Sequence, residues 1–314
     1  MLALLVLAGC SPKPPPDTSA LEWAYPKTGP KPSFTPPPGP FTVPDSKLTF
    51  TLAQVMDDVN PVDWFPDEHP PEPAIVAHGQ KGAPPPCAEC HLHDGHGFPG
   101  AADLAGLPAG YIVEQIRAFR SGDRKSAQQP DRPDTTEMIK VAKAVSDADL
   151  DQAAAYFAAL PRQPRVRVVE TDTVPATTPS PYGWLDPVPG KPSEPIRRRI
   201  IEIGEDTLRM YLADPHAGVI DYAPTGAVAR GQALVSSGGP GGKPCASCHG
   251  KDLKGQGPVP PLAGRAATYL ARMLWDIRTG ARGGSSVDQM QEPARHLTPA
   301  QITDIAAYLA SLKP

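Results

Sequence analysis

Two stretches decide the reading of this chain: "CAECHLHDGHG", from Cys87 to Gly97, and "CASCHGKDLKG", from Cys245 to Gly255. In each, two residues separate a pair of cysteines, and a histidine directly follows the second. The 314-residue chain has five cysteines, and only Cys10 falls outside these motifs. A zinc ribbon places its second cysteine pair some tens of residues away, whereas these pairs lie 158 residues apart. A thioredoxin-like pair would follow a strand in a βαβ unit and needs no adjacent histidine. Neither reading fits.

Cys-x-x-Cys-His is the attachment pattern of c-type haem. Two thiols on one helical turn can add to the two porphyrin vinyl groups, and the adjacent histidine then points its imidazole at the iron. The spacing therefore predicts two covalently bound haems c. Cys87 and Cys90 would form the thioethers of the first, Cys245 and Cys248 those of the second. His91 and His249 would be the proximal iron ligands.

The motifs belong to an internal repeat. An offset of 158, from Cys87 to Cys245, pairs Leu104-Ala105-Gly106 with Leu262-Ala263-Gly264, Tyr111 with Tyr269, and Gly122 with Gly280. Past a loop six residues longer in the first copy, the offset of 152 pairs Met138 with Met290, Ser146 with Thr298, and Tyr156 with Tyr308. Each copy reads as helical. Tyr111–Gly122 and Tyr269–Gly280 have apolar residues at helical spacing and stop at a glycine. Leu150, Ala153, Ala154, Phe157 and Leu160 form the apolar face of a last helix. Ile302, Ile305, Ala306, Leu309 and Leu312 form its twin. "SDAD" (146–149) and "TPAQ" (298–301) read as capping-box starts, the second with Pro299 at the first helical position.

A haem held by one histidine has a second axial face, and a methionine thioether can fill it. Of six methionines, only Met138 and Met290 occupy equivalent places, so these are the predicted distal ligands. Met273, Met56 and Met210 suit a core role, methionine being a common gap-filler. His93, His96 and His296 have no counterparts in the other copy and read as surface histidines on polar loops.

With these residues in place, each copy resembles a class I cytochrome c, and the tandem resembles the diheme cytochromes of the c-four type. The resemblance covers roughly 74–161 and 228–313. It implies an all-α fold, with two tandem class I cytochrome c domains, each holding one covalent haem. It also implies that a proline carbonyl before the "LAG" segment orients the proximal histidine. Pro261 matches that position, but Asp103 stands there in the first copy. That difference implies unlike surroundings for His91 and His249, and unequal potentials.

The remaining chain is organised around these modules. The opening "MLALLVLAGC" is a short apolar run with Leu7-Ala8-Gly9 before Cys10. It resembles a bacterial lipoprotein signal, residues 1–10, ending at a Cys10 that carries lipid. The run is too short to span a bilayer as a helix. Residues 11–44 are crowded with proline and are expected to form an extended tether that packs no core. The first cytochrome domain is placed at 45–161, with a short helix around Ala74–His78. A largely irregular linker follows at 162–227, and the second domain at 228–314. "RVRVVE" (165–170) is the one convincing strand candidate. This linker reads as a wrapping that packs Trp184 and its isoleucines on a module, with a docking face for a partner subunit as the sharper alternative.

The net charge of −4 leaves no basic field for nucleic acid. The expected protein is exported to the periplasmic side and lipid-anchored at Cys10. It passes single electrons between a redox protein donor and acceptor in a respiratory or photosynthetic chain, without a small-molecule substrate. Two alternatives remain open. A diheme peroxidase would need one haem with an open distal face. A cytochrome subunit of a larger dehydrogenase or oxidase complex would use the linker for docking.

Overall fold

The computed structural model describes residues 18–25, 27–32, 34–79, 83–128, 133–285 and 287–314. Cys10 and its apolar run lie outside the described residues. Two four-residue helices, α1 (Leu52–Val55) and α2 (Ala74–Ala77), precede the first motif, which forms α3 (Cys87–His91). α4 (Ala109–Ser121), α5 (Pro133–Ala144) and α6 (Asp147–Ala159) complete the first module.

Seven strands and one helix follow in the linker: β1 (Val166–Thr171), β2 (Thr173–Val174), β3 (Thr177–Pro179), β4 (Leu185–Pro187), β5 (Glu194–Pro195), β6 (Ile201–Gly204), α7 (Thr207–Tyr211) and β7 (Val219–Pro224). The second module comprises α8 (Ala227–Ser237), α9 (Ala246–His249) with the second motif, α10 (Ala267–Thr279), α11 (Asp288–Arg295) and α12 (Pro299–Ser311).

The repeat is visible in how the last helices pack. α6 lies against α4 and buries Ala154 and Phe157, with Leu160 buried just past its end. α12 lies against α8 and α10 and buries Ile302, Ile305, Ala306 and Leu309. The "LAG" segments join these helices to the motif loops. Gly106 N–H donates to Phe157 O at 3.0 Å, and Gly264 N–H to Leu309 O at 2.9 Å. Both glycines have positive φ, 64° and 71°, and a Cβ at Gly264 would lie 3.0 Å from Leu312 O. Only glycine closes this turn without strain.

Both last helices start as the sequence predicts, with one difference. Thr298 and Gln301 form a reciprocal capping box. Ser146 accepts from Asp149 N, but the shorter Asp149 side chain engages the Ser146 hydroxyl at 2.7 Å instead of reaching the cap backbone.

The linker departs from the all-α expectation. Five of its strands form one mixed sheet in the order β1-β7-β6-β4-β3, and β2 pairs with β5. β1 runs parallel to β7 over six residue pairs, and β6 runs antiparallel to it. Most of these strands are too short to show a two-residue period, and proline ends four of them. The wrapping is real: Trp184 is buried and stacks on Phe98, just beyond the first motif, with ring centroids 5.3 Å apart.

The expected tether is also corrected from Thr18 onward. A 3-10 segment, Thr18–Ala24, kinked at Leu21, delivers Leu21, Ala24 and Tyr25 into the core of the second module. Tyr25 Oη donates to Asp276 Oδ1 at 2.6 Å, and Arg272 Nη1 donates to Ala24 O at 2.9 Å. Burying Leu21 alone is worth about 1.5–3 kcal/mol. "LEWAY" (21–25) is an apolar pentapeptide that the surrounding prolines obscure. Further along, Phe41 and Val43 pack with Trp64 and Leu212.

The sheet holds α10, which leads out of the second haem site. Asp221 and Glu202 are paired across β6 and β7, and both are buried. Asp221 Oδ2 accepts from Ala267 N at 2.7 Å, and Glu202 Oε2 accepts from the Thr268 hydroxyl at 2.6 Å. Burial, and then the neighbouring Glu202, push the Asp221 carboxyl well above its ordinary value. The folded state therefore keeps a proton that the unfolded chain releases. Stability from this group is full below about pH 4 and falls as pH rises toward the folded value, by at most about 1.4 kcal/mol per pH unit. Asp221→Asn retains the acceptor for Ala267 and should flatten this decline. Denaturant midpoints across pH 4–7 that fall in parallel for both proteins would refute it.

Candidate functional site

Each motif helix is one turn long and buries its histidine: His91 and His249 are 8% and 5% exposed. Their ring orientation is fixed in the same way. His91 Nδ1 lies 2.8 Å from Ala102 O, and His249 Nδ1 lies 2.8 Å from Pro260 O. These acceptors are equivalent residues of the repeat, one position before those expected. Pro261 is not the partner of His249, and Asp103 does not deprive His91 of one. A main-chain carbonyl serves both, so the residue type at that position matters little.

With Nδ1 donating, Nε2 of each ring presents a lone pair. Burial pushes both imidazoles below their ordinary value, and so favours the neutral form that ligates metal. His249 Nε2 is buried with no hydrogen-bond partner. Leaving such an atom unsatisfied costs about 1–3 kcal/mol, and an iron on the histidine side of a haem removes that cost. The residues fit the group.

The first module surrounds its motif with an apolar cavity. Cys87, Cys90, His91, Leu107, Phe157 and Met138 all line it, so the methionine on α5 shares a chamber with the proximal histidine. Met290, on α11, is half-buried beside Ile277, Val287 and Ala294.

The other methionines divide. Met210 is buried, as expected, but Met56 is 41% exposed and is not a core residue. Met273 lies between the modules, with its sulfur 3.4 Å from Arg124 Nη2 and 3.2 Å from Arg282 Nη1. The histidines after the first motif are also not surface residues. His93 and His96 are buried, His93 beside Glu72 at 2.8 Å and His96 beside Asp94 at 2.7 Å. Only His296 is exposed as read.

The feature that sequence reasoning missed is a buried arginine pair. Arg124 and Arg282 are equivalent under the 158 offset and meet where the modules join, their backbones bridged to one another. Gln115 Oε1 accepts from both, at 3.0 and 2.9 Å, and the Tyr111 hydroxyl accepts from Arg282 at 2.8 Å. Neither forms an ion pair among the described residues. Burial and the neighbouring Arg282 hold Arg124 below its usual range. Burial raises the Tyr111 phenol, but the two arginines outweigh it and hold that phenol below its ordinary value.

This is a site with excess positive charge, and Arg124 lines the cavity that contains Cys87 and His91. The propionate carboxylates of a haem bound in that cavity would supply negative charge to it. The signal was present in the repeat, because the arginines align, but only the fold reveals that they touch.

The cytochrome c family matches residues 76–161 and 228–313, more than half of the chain. The chain is 41% identical over 68 residues to cytochrome c-552 of Acidithiobacillus ferridurans, a match covering 22% of this chain and 28% of that protein. It is 26% identical over 230 residues to cytochrome c4 of Azotobacter vinelandii, covering 72% and 84%. It is 28% identical over 251 residues to a thiosulfate dehydrogenase electron acceptor of Stutzerimonas stutzeri, covering 76% and 88%. With two matched domains, two attachment motifs and buried imidazoles ready for iron, the chain belongs to the cytochrome c family, as a c4-like tandem cytochrome with two covalently bound haems c.

Proposed function

We propose that this protein is an exported, membrane-tethered carrier that moves single electrons between a donor and an acceptor protein, with His91 and Met138 as axial ligands of the first haem and His249 and Met290 as those of the second. When bound, each haem supplies one iron that takes up and releases one electron. The observation that carries the reading is the placement of Met138 in the cavity that also contains Cys87, Cys90 and His91. A histidine and a methionine would then hold each iron and leave a substrate no open position, and a thioether would favour the ferrous state. The chain's task is then to hold the imidazoles, exclude water and bring the two modules together.

The donor is inferred to be a dehydrogenase. Support comes from relatives named as electron acceptors of thiosulfate dehydrogenase. The tether rests on Leu7-Ala8-Gly9-Cys10. Among the described residues no helix is long and apolar enough to cross a membrane.

Four outcomes are expected. Oxidised protein should show the near-infrared sulfur-to-iron band from both haems. Met138→Ala and Met290→Ala should each abolish one half of it, open that iron to carbon monoxide and lower its potential. Stoichiometric carbon monoxide binding by the unaltered protein, or substantial peroxide turnover, would favour a peroxidase instead. Arg124→Gln or Arg282→Gln should lower the haem potentials by on the order of tens of millivolts in a redox titration, since a buried positive charge that opposes the ferric state is lost. Cys10→Ser should release the protein from membranes with an unchanged haem spectrum. Retention after that change would place the anchor elsewhere.

A further inference from the structure

Four side chains with metal-ligating atoms converge beside the first module, apart from both haem motifs. Asp63 Oδ2 lies 3.0 Å from His69 Nε2. Glu72 Oε2 lies 2.8 Å from His93 Nδ1, and Glu72 Oε1 lies 4.0 Å from His69 Nδ1. One donor atom each from Asp63, His69 and His93 fall within 4.8 Å of one another. The side chains of His69, Glu72 and His93 are only 8%, 9% and 8% exposed. Two carboxylates and two imidazoles at such burial are an unusual group to place together, because buried charges persist only when paired or bound to metal.

We propose that Asp63, His69 and His93 form a binding site for one divalent transition-metal ion of the zinc type, with Glu72 as the carboxylate that positions His93. Two nitrogen donors and one oxygen donor suit such an ion, with a fourth position left for water. Asp63 and Glu72 bring negative charge that a dication would balance. The supporting contacts that orient metal ligands are present as well. The Tyr156 hydroxyl lies 2.8 Å from Glu72 Oε1 and 2.6 Å from His93 O. Pro70 O lies 3.0 Å from His69 Nδ1, and Pro61 O lies 3.2 Å from His93 Nε2. A crevice lined by Asp63, His69, His93 and His216 opens the cluster to solvent, so an ion can reach it.

The site is specific to this chain's first half. Asp63, His69 and Glu72 precede residue 76, where the family match begins. The position equivalent to His93 in the second module is Lys251, which cannot take the same part. His93 follows His91 by two residues, so a dication here would sit near the first haem and favour its ferrous state over that of the second.

The test titrates holoprotein with zinc chloride in an isothermal calorimeter. One zinc per chain is expected, and His69→Ala and Glu72→Gln should each weaken binding by at least about tenfold. His78→Ala, outside the cluster, should not weaken it. Zinc-edge X-ray absorption should report nitrogen and oxygen donors at about 2.0–2.2 Å. Zinc should also raise the potential of one haem and leave the other nearly unchanged. Visible haem spectra establish that each variant is folded. If His69→Ala fails to fold, Asp63→Asn, nearly equal in shape, gives the same readout. Failure to bind zinc, or binding of equal strength in all variants, overturns the proposal.

Discussion

Arg124 and Arg282 stand at equivalent positions of the two modules and are buried against each other where the modules join. Removing a charge from water costs several kcal/mol, and two like charges add their mutual repulsion. Gln115, Tyr111 and the Met273 sulfur give the guanidinium groups neutral partners, while Asp276 lies close enough to act on both through its charge. One carboxylate does not neutralise two arginines. Propionates of a haem bound in the first cavity, which Arg124 lines, would supply more negative charge. Docking of the modules would then be tied to haem attachment.

Hydrogen bonds around that junction fix how the modules sit. Lys125 N donates to Ala281 O at 2.8 Å, and Gly283 N to Asp123 O at 2.7 Å, so equivalent loops grip each other. A second pair of arginines fastens the opposite side. Arg162 Nη1 donates to Ala263 O at 2.9 Å, and Arg265 Nη1 to Asp103 O at 2.6 Å. Chain outside the modules adds more. Ala24 and Tyr25 from the N-terminal segment bond to Arg272 and Asp276, while Arg272 Nη2 reaches Gly100 of the first module at 3.1 Å. α10 is therefore held by the sheet, the N-terminal segment and the first module together. A hinge between haem domains has little room in such an arrangement.

The haem chemistry and the helical modules were legible in the sequence because they rest on local patterns: Cys-x-x-Cys-His on one turn, glycines after α4 and α10, apolar faces of period 3.6 on α6 and α12. The repeat sharpened these signals by giving each a control. Met138 and Met290 stood out for that reason. What escaped was non-local. The sheet is built from short strands whose partners lie far along the chain, and Leu21–Tyr25 finds its core some 250 residues later. His93 and His96 read as surface residues because their loop is polar. Nothing local announces that Glu72 and Gln163 close over them.

The difference between the two haem sites does not arise where the aligned motifs first place it. Asp103 replaces Pro261 in the alignment, yet both proximal histidines donate to a backbone carbonyl at 2.8 Å. The carboxylate itself lies 3.5 Å from both Arg162 and Arg265, so its charge is largely met by neighbouring cations. The asymmetry lies farther out. The first module carries buried His93 and His96 with Glu72 beside His93, whereas Lys251 and Lys254, at the positions of His93 and His96, are exposed cations. At the junction, Gln115 faces Met273, a strong acceptor opposite a weak one, so the arginines lean on the first module's side chain. Duplication supplied two equal haem sites. The segments added around them, and one side-chain difference at their shared axis, make the two unequal.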